Sequence, residues 1–240
     1  MLNGKSFLAV IPARGGSKRL PRKNKLDLGG RALIEWTIEA AVKCDFIDEV
    51  LVSTDDEEVV EISKLAGASV PFIRPAELSG DTSSSYSVVE HAIDFYTTNE
   101  KRSFDFVILL QPTSPFRSSR DILSCARFLF ERNADAVVSI CEVEHSPLWS
   151  NILPQDQSMN NFLKQEFKNI RGQDLPTYYR LNGAMYICKI DRLLEDKSFM
   201  LNEGIYGYVM PRLSSIDIDT EVDFLLAKTV VDNGLVSEYD

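Results

Sequence analysis

The chain has 240 residues, of which 44 % are hydrophobic and 26 % are charged, as is typical of a globular protein. Its formal net charge of −10 argues against broad binding to nucleic acid or to an anionic membrane, because both require a positive field. The apolar run at residues 7–11 is too short for a signal sequence or a membrane span, and the four cysteines are scattered without metal-binding or redox spacing. We therefore expect a cytoplasmic protein with a single domain over residues 1–240.

Strand-like and helix-like segments alternate along the chain. Apolar runs predict strands at residues 6–12, 49–53, 68–74, 104–111, 134–141, 183–189, 206–210 and 215–219. Helical periodicity predicts helices at residues 32–43, 54–65, 85–97, 119–132 and 220–231. Thr54 is expected to cap the second helix, and Gly67 to end it. This order predicts an α/β fold of three layers with a mostly parallel, Rossmann-like sheet, whose ligands bind at the carboxyl ends of the strands.

The alternation breaks over residues 142–180, which we call the arm segment. Its sequence is polar and has no clear period, yet it is rich in aromatic residues: Trp149, Phe162, Phe167, Tyr178 and Tyr179. A disordered linker does not normally carry so many aromatic side chains. An arm that packs on a second subunit explains them, and an insertion that packs on its own domain is the alternative.

A basic loop with two glycines follows the first predicted strand. From Arg14 to residue 25 there are six basic residues and no acidic one. Gly15 and Gly16 allow backbone amides to turn around an anion, while Arg14, Lys18 and Lys23 supply cationic donors that suit a triphosphate. The loop has neither a Walker A nor a dinucleotide-binding spacing. A merely solvated basic loop is the alternative, although such a loop does not need two glycines directly after a buried strand.

Two aspartates near the end of the chain predict a metal site. If residues 215–219 form a strand, Asp217 and Asp219 face the same side, and paired carboxylates suit Mg²⁺. In the alternative, Asp219 or Thr220 only caps the last helix, with Asp223 completing a capping box, which leaves Asp217 unexplained. Together with the basic loop, the pair indicates nucleotidyl transfer.

A third candidate is Gln111, which ends the apolar strand at residues 104–111 and precedes two prolines. Its amide can hydrogen-bond a polyhydroxylated substrate. A plain exit from the strand into a loop is the alternative.

Taken together, six segments resemble the CMP-sialic acid synthetase family, the acylneuraminate cytidylyltransferases. They are I-P-A-R-G-G-S-K-x-x-P-R-K-N (11–24), V-S-T-D-D (52–56), R-P-A-E-L-x-x-D-T (74–82), L-L-Q-P-T-S-P-x-R (109–117), R-L-N-G-A-x-Y (180–186) and S-I-D-I-D-T-E-x-D (215–223). They occur in the family's order and cover nearly the whole chain. The resemblance implies a nucleotidyltransferase fold, CTP and a sialic-acid-like sugar acid as substrates, Mg²⁺ as cofactor, and a homodimer formed through the arm segment.

The resemblance also assigns roles to individual residues. It implies that the catalytic residues are Arg14, Lys23, Asp217 and Asp219, of which the two aspartates hold the Mg²⁺. It assigns CTP binding to Arg14, Gly15, Gly16, Ser17, Lys23, Asn24, Arg74, Ser83 and Ser85. It assigns sugar binding to Gln111, Arg171, Arg180, Asn182, Tyr186 and Phe199.

Two departures from the family pattern concern the sugar acid. Trp149 follows a Pro-Leu pair where some sialic-acid enzymes have a lysine, and Arg171 lies one residue further from the Asn-Gly turn expected at residues 182–183 than its counterpart. Legionaminic acid is therefore a candidate substrate beside N-acetylneuraminic acid. The alternatives are a cytidylyltransferase for 3-deoxy-manno-octulosonate or pseudaminic acid, and a non-catalytic CTP sensor on the same fold. The intact set of catalytic residues argues against a sensor.

Overall fold

The computed structural model describes residues 1–236, so the last four residues of the predicted domain lie outside the described part. The strands are β1 (Phe7–Pro12), β2 (Glu49–Ser53), β3 (Phe106–Leu110), β4 (Ala136–Glu142), β5 (Tyr179–Lys189) and β6 (Ile205–Val209). The helices are α1 (Leu33–Val42), α2 (Glu57–Leu65), α3 (Ser85–Phe95), α4 (Ser119–Glu131), α5 (Ile190–Asp196) and α6 (Glu221–Asp232). Within residues 1–236, no helix combines the length and the apolar character that a membrane span requires.

The six strands form one sheet in the order β2-β1-β3-β5-β4-β6, which confirms the predicted mostly parallel sheet. Only β5 runs against its neighbours among these strands, pairing antiparallel with both β3 and β4. The beginning of β5 therefore lies beside the carboxyl ends of the parallel strands, as the pairing of Tyr179 with Glu142 shows. This edge of the sheet is where ligands bind in folds of this type.

The sheet is covered on both faces, which confirms the three layers. Along β1, Phe7, Ala9 and Ile11 belong to one buried cluster, to which α1 and α4 contribute. The intervening Leu8 and Val10 belong to a second cluster, to which α3 and α5 contribute. Successive side chains of a strand point to opposite faces, so a strand that is apolar throughout must be buried on both.

Two predicted strands are wrong. Residues 68–74 make only a single bridge, between Ser69 and Leu51, and Pro71 follows without an N–H group that could extend the ladder. A 3₁₀ turn ends at Ser215, and residues 216–219 then continue outside any strand, with Ile218 N donating to Thr113 O at 2.8 Å. Alternating polarity indicated extended backbone there, but it could not show that no strand lies alongside.

Three local predictions also need correction. Asp56, not Thr54, caps α2, because its carboxylate accepts hydrogen bonds from the backbone N–H groups of the first turn. Helix α5 was not predicted, since seven residues are too short to show a helical period. The Asn182-Gly183 pair lies within β5 rather than at a turn before it, so β5 begins four residues earlier than predicted.

The arm segment overlaps the sheet at both ends, because Glu142 ends β4 while Tyr179 and Arg180 begin β5. Between them, residues 143–178 contain three short 3₁₀ turns and otherwise irregular backbone. The segment leaves several apolar side chains open to solvent, including Ile152 at 89 % exposure.

Candidate active site

The basic loop after β1 is fixed at both ends. At its start, Ala13 N donates to Ser53 O of β2 at 2.9 Å. Further on, the buried Asn24 donates from its side-chain amide to Arg14 O at 3.0 Å, and Lys25 forms an ion pair with Asp56 at 2.7 Å. These contacts hold the loop at the carboxyl end of β1 before any ligand binds.

The two glycines of the loop have different surroundings. Gly15 N donates to Asp55 Oδ1 at 2.8 Å, and a Cβ at position 15 would lie 3.0 Å from Cβ and Oδ2 of Asp56. A Cβ at Gly16 would have no neighbour within 4 Å, and the Gly16 N–H donates no hydrogen bond within the described residues. Gly15 is thus required for close packing, whereas the amide that can receive an anion belongs to Gly16. Ser17 N donates to Gly15 O at 3.0 Å, so Ser17 closes the turn.

A cavity of about 210 Å³ lies between this loop and the start of α3. Among the residues that line it are Arg14, Arg74, Asp81, Ser83 and Ser85. The structure therefore brings together four residues that the sequence assigns to CTP.

Arg74 forms the buried wall of the cavity, with 5 % of its surface exposed. Its guanidinium donates through Nε to Ser53 Oγ at 3.0 Å and through Nη2 to Ser53 O. Burial and the positive charge of Arg14, opposed by the negative charge of Asp55, together lower the pKa of Arg74 to about 10. An anionic ligand would relieve the repulsion between the two guanidinium groups.

The cations of the loop are paired with carboxylates. Arg14 Nη1 contacts Asp81 Oδ1 at 3.1 Å, and Lys18 forms an ion pair with the same carboxylate. Lys23 Nζ donates to Ile218 O at 2.9 Å and to Asp219 Oδ1 at 3.1 Å. A triphosphate would replace Asp81 as the partner of the first pair, while Lys23 connects the loop directly to the aspartate segment.

The two aspartates flank a buried residue although no strand is present. Between them, Ile218 is fully buried in a cluster with Trp36 of α1 and Ala227 of α6. The carboxylates of Asp217 and Asp219 are near enough for their charges to interact, and a shared metal site stays a prediction. Thr220 caps α6 with Asp223 in a capping box, so Asp219 is not the cap. The Asp219 carboxylate instead forms ion pairs with Lys23 at 3.1 Å and with Arg19 at 2.8 Å.

The electrostatics of the pair suit a cation. Although Asp217 as a residue is exposed, the protein around its carboxyl raises its pKa by desolvation, and the negative charge of Asp219 raises it further. A bound cation would relieve this repulsion. Within residues 1–236 no group of three or more His, Cys, Asp and Glu side chains could hold a metal ion. A Mg²⁺ held here would therefore take its other oxygen ligands from water and substrate phosphates, as this ion commonly does.

Three of the predicted sugar residues, Gln111, Tyr186 and Phe199, lie along the inner part of β5. The rings of Tyr186 and Phe199 pack at a tilted angle of 59° with centroids 5.7 Å apart, and the charge of Asp217 adds to the burial that raises the pKa of Tyr186. Gly183 lies against Gln111, because a Cβ at 183 would be 3.3 Å from Gln111 Oε1.

The other three sugar assignments are placed differently. Arg180 contacts Glu144 at 3.4 Å at the start of β5, and Arg171 pairs with Asp174 at 2.8 Å within its own turn of the arm segment. Asn182 is 1 % exposed and its amide is engaged by protein atoms. Contact of these residues with a substrate stays a prediction.

Comparisons with known proteins establish the family and the fold. The sequence pattern of the family described as Cytidylyltransferase matches residues 8–229. The chain belongs to the cytidylyltransferase family. It is 37 % identical over 235 residues to a CMP-N,N'-diacetyllegionaminic acid synthase of Legionella pneumophila, covering 94 % of this chain and 96 % of that protein.

Two further relatives differ in the sugar acid that their names carry. A pseudaminic acid cytidylyltransferase of Campylobacter jejuni is 36 % identical over 222 residues, covering 92 % of this chain and 94 % of that protein. An N-acylneuraminate cytidylyltransferase of Streptococcus agalactiae is 36 % identical over 220 residues, covering 91 % of this chain but 51 % of that longer protein.

A solved structure is similar in fold. It is a CMP:2-keto-3-deoxy-manno-octonic acid synthetase complexed with CTP, with a TM-score of 0.66, 19 % identity, and coverage of 95 % of this chain and 99 % of that one. The nucleotidyltransferase fold that the resemblance implied is thereby confirmed.

Sequence reasoning missed several residues that shape this cytidylyltransferase site. Asp81 holds two cations of the loop, and the fully buried Arg117 donates to Ala184 O at 2.7 Å. Ser139 and Ser215 bind the side chain of Asn182. Asp81 and Arg117 lie within the segments that carry the family resemblance, but Ser139 is one polar residue in an apolar strand and gives no signal of its own.

Proposed function

We propose that this cytidylyltransferase transfers CMP from CTP to the anomeric hydroxyl of a nine-carbon sialic-acid-like sugar acid, N-acetylneuraminic or legionaminic acid, and releases pyrophosphate. The observation that carries the proposal is the contact of Lys23 with Asp219 at 3.1 Å. Lys23 belongs to the same basic loop as Arg14, which lines the cavity, and the charge of Asp217 reaches Tyr186. These contacts support a nucleotide site, a metal site and an acceptor site next to one another.

The residues of the chain bind and orient the reactants. The cavity holds the cytidine, while Arg14, Lys23 and the Gly16 amide neutralise the β- and γ-phosphates and stabilise the departing pyrophosphate. The C2 hydroxyl oxygen of the sugar acid forms a bond to the α-phosphorus, the bond from that phosphorus to the β-phosphate oxygen breaks, and the hydroxyl proton is released. The protein contributes chiefly alignment and charge neutralisation, as in other phosphoryl transfers.

Asp217 and Asp219 are the residues that would hold a Mg²⁺ ion. When bound, this ion supplies positive charge against the phosphates and lowers the pKa of a neighbouring hydroxyl. The carboxylates themselves set the position of that charge, and Lys23 keeps Asp219 oriented in the absence of ligand.

Pseudaminic acid is the second candidate acceptor, because the relative named for it is 36 % identical over most of both chains. A 3-deoxy-octulosonic acid has weaker support, since the structure named for that substrate shares the fold at 19 % identity. A non-catalytic CTP sensor would not need the carboxylate pair beside the acceptor side.

The deciding experiment is Mg²⁺-dependent pyrophosphate release from CTP, with N-acetylneuraminic, legionaminic, pseudaminic and 3-deoxy-octulosonic acids offered separately. Release with N-acetylneuraminic or legionaminic acid supports the proposal. Release only with pseudaminic or only with 3-deoxy-octulosonic acid would identify that acid as the substrate instead. CTP binding without release for all four acids would overturn the proposal in favour of the sensor. Asp217→Ala should abolish release, whereas Asp45→Ala, at an exposed aspartate remote from the site, should not.

We also propose that two copies associate through the arm segment. Its exposed apolar side chains, Ile152 at 89 %, Met159 at 61 % and Leu153 at 52 %, form the kind of surface that subunit contacts cover. Ile152→Ser is expected to lower the dimer fraction in light scattering. Leu65→Ser is the matched control, because Leu65 is 88 % exposed on α2, outside the arm segment. If neither variant changes the dimer fraction, this role of the arm segment is contradicted.

A further inference from the structure

A buried hydrogen-bond network joins β4, β5 and the aspartate segment. Ser139 Oγ of β4 donates to Asn182 Oδ1 at 2.6 Å and accepts from Met185 N at 2.9 Å. Asn182 Nδ2 then donates to Ser215 Oγ at 2.9 Å, and Ser215 Oγ donates to Pro211 O at 2.8 Å. The three side chains are 1 % exposed or less, so the network excludes water.

The network exists because β5 bulges at this point. Val138 pairs with Tyr186 and Ile140 with Leu181, so two steps along β4 correspond to five along β5. The extra residues of β5 have no ladder partner on β4, and the Ser139 hydroxyl accepts the hydrogen bond of Met185 N in place of a ladder bond. A bulge of this kind redirects side chains next to a functional site.

The bulge also contacts the loop that carries Gln111. Arg117 donates to Ala184 O at 2.7 Å, and Gly183 lies against the Gln111 side chain. One side of the bulge is thus fixed to the predicted sugar-binding loop, and the other side, through Asn182 and Ser215, is fixed to the segment that continues into Asp217.

We infer that Asn182 is a positioning residue that acts through Ser215 to hold Asp217 and Asp219 in place relative to the sugar-facing side chains of β5. The inference rests on the proposed function, because it assumes that the two aspartates serve the reaction. Asn182 has almost no exposed surface for a substrate, and its amide bonds to Ser139, Ser215, the Ala184 N–H and the Met210 sulfur. It therefore influences a sugar acid through its neighbours rather than by contact.

Ser215→Ala tests this inference, because it removes the acceptor of Asn182 Nδ2 and changes little volume. Ser63→Ala is the matched control: Ser63 is fully buried on α2, and its hydroxyl has no hydrogen-bond partner within the described residues. The first readout needs no substrate. In Ser215→Ala, backbone amides in residues 211–219 should exchange with deuterium about 5-fold faster, the change that loss of one typical hydrogen bond produces. Ser63→Ala should leave that peptide unchanged.

The second readout is kinetic. Ser215→Ala should lower kcat by about 10- to 100-fold, because misplacing reacting groups by an ångström has effects of that size. The dissociation constant for CTP without metal should stay within about 2-fold, since Arg14, Arg74 and Ser83 make no contact with the network. A loss of CTP affinity equal to the loss of kcat would indicate general disruption and would overturn the inference.

Failure of the inference and failure of the proposed function give different results. If the wild-type protein releases no pyrophosphate, the proposed function is refuted. If the wild type is active, and Ser215→Ala has the same kcat and the same amide exchange in residues 211–219, only the positioning role is refuted. If Ser215→Ala does not fold, Ser139→Ala replaces it, because it breaks the same network at Asn182 Oδ1 and Met185 N. The same pattern of exchange, kcat and CTP affinity is expected, and wild-type values would overturn the inference.

Discussion

Substituting alanine for Gly15 should destabilise the protein, whereas the same change at Gly16 should not. A Cβ at position 15 would lie 3.0 Å from two atoms of Asp56, which is tighter than nearly all real Cβ contacts. Asp56 cannot move freely, because it caps α2 and forms an ion pair with Lys25 at 2.7 Å. Crowding of this kind costs about 1–3 kcal/mol, and loss of a cap costs about 1 kcal/mol. Alanine lowers the entropy of the unfolded chain and returns about 0.4–1 kcal/mol.

The net expectation for Gly15→Ala is a loss of about 1–3.5 kcal/mol in the free energy of unfolding, or a Tm lower by about 2–14 °C for a chain of this size. Gly16→Ala should gain up to about 1 kcal/mol, since its Cβ meets nothing and neither glycine has a positive φ. Urea unfolding measures both, and isothermal calorimetry with CTP should show weaker binding for Gly15→Ala. Equal stability of the two variants would refute the reasoning, because an added Cβ is crowded by Asp56 at position 15 and meets nothing at position 16.

Three further substitutions test other parts of the site and fold. Asp81→Asn should tighten CTP binding in calorimetry by about 2- to 30-fold, because two exposed ion pairs no longer compete with the phosphates, while Asp45→Asn changes the net charge equally and should have no effect. Weaker binding by Asp81→Asn would contradict this. Gly183→Ala, at φ +72° and 3.3 Å from Gln111 Oε1, should destabilise the chain by about 1–2 kcal/mol and raise the KM for the sugar acid but not the Kd for CTP. Asp105→Asn should have a lower Tm than wild type at neutral pH. The two Tm values should converge as the pH falls below 3.8. A hydrogen bond from a lysine lowers the pKa of Asp105 from that value, so its stabilising contribution is complete above 3.8 and is lost as the pH falls through the lowered value; a constant difference in Tm down to pH 2 would contradict this.

The sequence predicted those parts of the molecule that depend on local pattern. Strand β1 is an unbroken apolar run, which in an α/β chain can only be a strand buried on both faces. Thr220 and Asp223 have the spacing of a capping box, and they form one. The loop between β1 and α1 was identified because its glycines and cations are consecutive in the chain.

What the sequence could not predict depends on contacts between distant segments. Asp81 lies more than sixty residues from Arg14, and no local pattern indicates that it pairs with that cation in the absence of ligand. The bulge of β5 looked like a turn because Asn-Gly is a common turn signal, and only the pairing with β4 and β3 shows that the strand continues. Asn182 was assigned to the sugar by the family resemblance, and the burial of its amide appears only in the folded chain.

The two departures that bear on the sugar acid belong to one structural feature. A Cβ at Gly172 would lie 3.1 Å from Cη2 of Trp149, so the indole ring packs on the backbone directly after Arg171. A smaller or more flexible residue at position 149 would leave this backbone without its neighbour, and a larger residue at 172 would displace the ring. Positions in contact do not contribute independently to binding energy. The tryptophan in place of a lysine and the shifted arginine therefore form a coupled pair. The choice of sugar acid should be argued from both positions together, because the Trp149 ring also supports the turn that begins at Gly172.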